Sequence, residues 1–133
     1  GIEMDVIKLA KKYNLKNFFL LDVEMPFISV NKKKINQYMS IRFSEFESIN
    51  TIAHFKNNVG WIWIDTFKNL PVNKNTVKKL IKFKTCLVCP ERWGRPSDIK
   101  IYFKKLRKLN YLPNCVMTNL KYAKVWNDLI QNF

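Results

Sequence analysis

The chain has 133 residues, of which 47% are hydrophobic and 14% aromatic, so it holds enough apolar material for one buried core and is not a disordered segment. Its 24 Lys and Arg against 10 Asp and Glu leave a formal net charge of +14, which points to phosphate-bearing, nucleic-acid or other anionic partners. No apolar run nears the roughly 18 residues of a membrane span, and three cysteines without a secretory leader fit a reduced, cytoplasmic protein with no transmembrane segment.

Taken in order, residues 4–14 set Met4, Ile7 and Ala10 at helical spacing beside lysines and read as an amphipathic helix. Residues 18–23 form an apolar run interrupted only by Asp22, a strand that stops at Glu24-Met25-Pro26. A short Lys-rich piece over 31–35 leads to a second strand over 38–43, and a helix over 49–56 is closed by Asn57-Asn58. The most apolar stretch is VGWIWIDTF over 59–67, where Trp61, Ile62, Trp63, Ile64 and Phe67 crowd around Asp65. Apolar on both alternating faces, it reads as a central parallel strand. Asn73 or Asn75 then caps a helix over 73–82, a fourth strand over 85–88 ends at Pro90, and Ser97-Asp98 cap a basic helix over 99–109. A short fifth strand over 115–117 and a helix over 121–130 close the chain. One helix followed by five βα units with short connections requires parallel strands joined by right-handed crossovers, so residues 1–133 are expected to form a single α/β domain.

The scarce acids are not scattered. Asp22, Glu24, Glu45, Glu47, Asp65 and Glu91 all fall at the carboxyl ends of expected strands, whereas the helices carry lysine. In parallel α/β folds that edge is where ligands are held, and carboxylates gathered there suit a cation or proton handling. Beyond the fourth strand, Arg92 and Arg95 in ERWGR offer two guanidinium forks in a Gly/Pro loop, a place suited to gripping a phosphate or carboxylate. Trp93 is expected to be exposed there. The CxxC spacing of Cys86-Leu87-Val88-Cys89 lies in a strand, where residues three apart face opposite ways, and no second pair completes a metal site. His54 has no sequence partner, and no GxSxG, GxGxxG or GxxxxGK[ST] occurs, so neither a Ser nucleophile nor a nucleotide cofactor is expected. Only four of the cations are Arg, and the lysine excess travels with Asn, Ile and Phe as AT-rich coding would produce. Nucleic acid is therefore the second choice of partner.

With the strand ends placed, the segments NFFLLDVEMP, YMSIRFSEFE, GWIWIDTF, KTCLVCPERWGR and NCVMTNLKYAKVW resemble, in that order, the fourth to eighth strands of the glycerophosphodiester phosphodiesterase-like (β/α)8 barrels of the phospholipase C-like superfamily. The most specific parts are RFSEFE, LVCPERWGR and VMTN, and where the eighth strand of that family usually ends in Thr-Asp this chain has Thr118-Asn119. The resemblance implies the carboxyl-terminal half of a TIM barrel, metal-assisted hydrolysis of a phosphodiester, and a divalent ion such as Mg or Ca. It implies rim positions for Asp22, Arg42, Asp65, Glu91, Arg92 and Thr118, where a phosphate-bearing substrate would sit. The family's His-Arg-Gly segment, its acid/base histidines and its metal-binding acids belong to the first strands, which nothing here matches, so no catalytic residue is carried over.

Two folds stay open: half of such a barrel, as a fragment of a longer enzyme or a free-standing half that pairs with the missing half or with a second copy, and a small flavodoxin-like doubly wound sheet. Two functions stay open as well. One is a phosphodiesterase-like hydrolase domain not active alone; the other is a non-catalytic basic α/β module whose lysines over 78–84 and 100–108 bind nucleic acid or an acidic partner.

Overall fold

The computed structural model describes residues 2–133, without the side chains of Lys32 and Lys34. The first helix, α1 (Glu3–Lys12), has Glu3 and Asp5 in its first turn and Lys11 and Lys12 in its last, charges that complement the helix dipole, and it buries Ile7 and Ala10. The next helix, α2 (Met25–Ile35), corrects the expectation of a short Lys-rich connection. Pro26 sits in its first turn, where a missing N–H costs nothing, and Ile28 and Ile35, seven residues apart, are buried on one face.

Four parallel strands follow, β1 (Ser40–Phe43), β2 (Trp61–Ile64), β3 (Lys84–Val88) and β4 (Cys115–Met117), hydrogen-bonded in sequential order. Between them lie α3 (Ile49–His54), α4 (Lys74–Leu80) and α5 (Asp98–Lys108), and α6 (Leu120–Gln131) comes last. Two of these helices begin on side-chain caps, whereas Ser97, expected to cap α5, stands at its N-terminus without a capping hydrogen bond. Ser48 accepts the Asn50 N–H before α3, and Asn73 and Thr76 form a reciprocal capping box at α4. The α/β class and the parallel sheet are as the sequence implies, and sequential order is common to a barrel segment and to one wing of a doubly wound sheet.

Among the described residues the sheet has four strands rather than five. Residues 18–23 do lie along the outer edge of β1, but they make a single parallel bridge, Leu20 to Met39. The pairing stops at one turn: Asp22 enters the left-handed region at φ 47°, which Asp tolerates better than most residues, and its N–H is taken by Ser40 Oγ at 3.2 Å instead of a ladder carbonyl.

Alternation along the strands sorts the sheet into two faces. Ile41, Phe43, Ile62, Ile64, Leu87 and Val116 enter a core to which every helix contributes, among them Ile7, Ile28, Ile52, Leu80, Leu106 and Trp126. Burying each such side chain contributes about 1.5–3 kcal/mol. Arg42, Trp61, Trp63, Cys86 and Cys115 take the opposite face, in register along the strands and outside that core. Phe19 from the edge segment stacks on Trp61 at 4.6 Å and so covers part of this second face. Since every helix packs into that one core, the helices share one side of the sheet and the second face stays open. Among the described residues no helix is long and apolar enough to cross a membrane.

Candidate functional site

At the carboxyl end of β1 the chain turns through 44–47, and Glu47 folds back over it. Its Oε2 accepts the Ser44 N–H at 2.8 Å and the Ser44 hydroxyl at 2.5 Å, while Oε1 accepts Arg42 Nε at 3.0 Å. Asp22 Oδ2 lies 3.9 Å from Arg42 Nη1, so the guanidinium is held between two carboxylates. That hydrogen bond from Arg42 to Glu47 raises the Arg42 pKa above its ordinary value. Burial pushes Glu47 up, but the hydrogen bonds from Ser44 and Arg42 outweigh it and leave the carboxyl below its usual range.

Asp65 follows β2 directly. It is 8% exposed, and its Oδ1 accepts Trp93 Nε1–H at 3.1 Å across the sheet end. Burial raises its pKa, opposed by the Trp93 hydrogen bond and the Arg42 charge. After β3 a 3₁₀ turn (Pro90–Trp93) ends at Gly94, whose φ of 76° suits glycine. Glu91 is 6% exposed and accepts the Thr118 hydroxyl on Oε1, while its Oε2 is enclosed without a partner.

A cavity of about 330 Å³ at these strand ends is lined by Asp22, Arg42, Trp63, Asp65, Arg92 and Trp93, with Leu21 and Val88. Four of the six rim residues named from sequence therefore meet in one space. Glu91 and Thr118 do not line it and are paired with each other at the β3–β4 side. A smaller recess of about 280 Å³ shares Arg42, Asp65 and Trp93 and adds Ser44, Phe46 and Phe67. Its lip is aromatic: Phe67 meets Phe46 at 6.2 Å and Trp93 edge-on at 4.8 Å, and all three rings are more than 40% exposed. A wider groove, about 610 Å³, runs off sideways between the starts of α2 and α3 and shares only Asp22 and Arg42 with the cavity.

The two arginines of ERWGR part company. Arg95 donates to the carbonyls of Thr66, at 2.5 Å, and of Lys68, and pairs with Asp98 at 3.7 Å; it is consumed in tying the β2 exit loop to α5. Arg92 is exposed and, among the described residues, its guanidinium has no hydrogen-bond or ion-pair partner.

The divalent ion implied by the resemblance finds no cradle in this arrangement. Asp22 and Glu47 are turned to Arg42, Asp65 to Trp93 and Glu91 to Thr118, and among the described residues no three His, Cys, Asp or Glu side chains come together to hold a metal. A metal would need donors beyond these residues. His54 is exposed at the end of α3, away from the cavity lining.

Sequence reasoning missed Glu47 as the side chain that orients Arg42 and Trp93 as the donor to Asp65. The Ser44-x-x-Glu47 spacing, which elsewhere marks reciprocal capping, carried the first signal. The second is a pairing of residues 28 apart that no local pattern encodes. Comparison of the chain with protein-family models, with curated proteins and with solved structures finds no match.

Proposed function

We propose that this chain is the substrate-holding part of a phosphodiesterase-like α/β hydrolase, its strand-end cavity receiving the phosphate of a phosphodiester. The observation that carries this reading is Arg92, a guanidinium without a protein partner that lines the same cavity as Arg42 and Asp65 at the carboxyl ends of parallel strands. In such a site Arg92 supplies the fork for two phosphate oxygens, and Arg42, fixed from behind by Glu47, offers its remaining N–H groups. Trp63 and Trp93 give the ester's organic part apolar walls. Asp65, its pKa raised by burial, is the carboxylate placed to take a proton from water or a hydroxyl. Metal assistance, where it operates, draws on donors outside the described residues, and the open sheet face carrying Trp61 and Trp63 is where a second half-sheet would lie.

The test is calorimetric titration with inorganic phosphate and with a simple phosphodiester. Arg92→Ala is expected to weaken binding about tenfold, the scale of one charge-assisted contact, while Lys104→Ala leaves it alone. If neither Arg92→Ala nor Asp65→Asn moves the affinity by more than about 0.5 kcal/mol, the site is misassigned.

A second reading, a basic module for nucleic acid or an acidic partner, is favoured by α5, where Lys100, Lys104, Lys105, Arg107 and Lys108 are exposed and the one acid, Asp98, is engaged by Arg95. It predicts polyanion binding that falls steeply with salt and is lost when those cations are neutralised, with Arg92 indifferent.

A further inference from the structure

Cys86 and Cys89 face away from each other as strand alternation requires, but the fold builds a different pair. The β3–β4 register sets Cys86 opposite Cys115 on neighbouring strands, both on the open face of the sheet. Adjacent strands run about 4.8 Å apart, inside the roughly 4.4–6.8 Å separation of α-carbons that a disulfide bridges. Cys86 is 4% exposed and Cys115 only half-buried, on the outermost strand of the described sheet, so one thiol is approachable and the other lies behind it. All three cysteines are free thiols, and Cys89 is fully enclosed.

We propose that Cys86 and Cys115 form a reversible oxidation site for hydroperoxides, Cys115 reacting first and Cys86 resolving it to a cross-strand disulfide. The Cys115 thiolate attacks the terminal peroxide oxygen and the O–O bond breaks, giving a sulfenic acid on Cys115 and an alkoxide, or hydroxide when the oxidant is hydrogen peroxide, which takes up the proton Cys115 released and leaves as alcohol or water. The Cys86 sulfur then attacks the Cys115 sulfur. The S–O bond breaks, and the departing hydroxide takes the Cys86 proton. In sum two thiols and one hydroperoxide yield one disulfide, one water and one alcohol, and a thiol reductant reverses it by exchange. The division of labour matches the local chemistry: the neighbouring Cys86 thiol lowers the Cys115 pKa while Cys115 and burial raise that of Cys86, and burial holds the Cys89 thiol up.

The experiment treats the intact chain with one to two equivalents of hydrogen peroxide, alkylates it after unfolding, and maps the thiols by fragmentation mass spectrometry, since Cys86 and Cys89 share a tryptic peptide. The expected result is loss of two of three alkylable thiols, an 86–115 crosslink restored to thiols by dithiothreitol, the same outcome in Cys89→Ser, and a dimedone-trapped Cys115 in Cys86→Ser. The Cys89→Ser and unsubstituted chains decide the matter if Cys86→Ser does not fold. Three thiols surviving, a crosslink through Cys89, or oxidation ending as an intermolecular dimer overturns the assignment.

Discussion

Replacing Trp93 by Phe removes the indole N–H that Asp65 accepts at 3.1 Å and keeps a ring against Phe67, 4.8 Å away. Hydrogen bonds to charged groups are worth about 1.5–3 kcal/mol, and since the Trp93 ring is 42% exposed and water can replace part of the bond, a loss of about 1–1.5 kcal/mol is expected at neutral pH. The sign of its pH dependence follows from Asp65. Burial already raises that carboxyl, and the Trp93 N–H works against the rise by holding the charged form. Without it the folded state keeps the proton to higher pH than the unfolded chain over a wider window, and stability falls as pH rises through that window. The penalty of Trp93→Phe should therefore be complete near pH 7 and fade below about pH 4, where the carboxyl is protonated in both states. Urea unfolding of both proteins at pH 7 and pH 3.5 measures this, and carboxyl ¹³C titration follows Asp65 directly. Equal losses at the two pH values, or an Asp65 midpoint that falls in the variant, refute the coupling.

Two further outcomes follow from the packing. Gly60 precedes β2 so closely that a Cβ would stand 2.9 Å from Gln37 Cα and 3.0 Å from Gln37 O, both backbone, so Gly60→Ala should cost about 1–3 kcal/mol in urea unfolding, and an unchanged midpoint would deny that approach. Tyr111, buried and pushed up to about 12, donates to Thr85 Oγ1 at 2.8 Å; its neutral form favours the fold, so that contribution is whole below pH 10 and lost as pH climbs to about 12. Tyr111→Phe should lose about 1 kcal/mol at neutral pH yet show a flatter alkaline limb in unfolding followed by circular dichroism, and a limb as steep as the parent's would exclude Tyr111 as its source.

Much of the architecture is legible along the chain because its signals are local. The cap Asn73, the Pro in the turn after β3 and the two-sided apolar run before Asp65 each act over a few residues, and α4, β2 and β3 start or stop where they indicate. Where a local signal is ambiguous the reading fails: residues 18–23 have a strand's composition, but Asp22 settles into a left-handed turn because a hydroxyl 18 residues away takes its N–H. Pro26 reads as a stop when it stands in the first turn of α2.

The sequence by itself determined the class of fold, the parallel direction of the strands and the rim on which the scarce acids collect, since period and βα order need no knowledge of distant contacts. Only the tertiary structure decided which rim groups are spent and which are open. Arg95 is consumed by two carbonyls and Arg92 is not, Glu47 rather than Glu45 turns to Arg42, and Cys86 meets Cys115 instead of Cys89. Those pairings join strands and loops far apart in the chain, and they are set by how neighbouring strands align, a property of the assembled sheet that no stretch of residues carries alone.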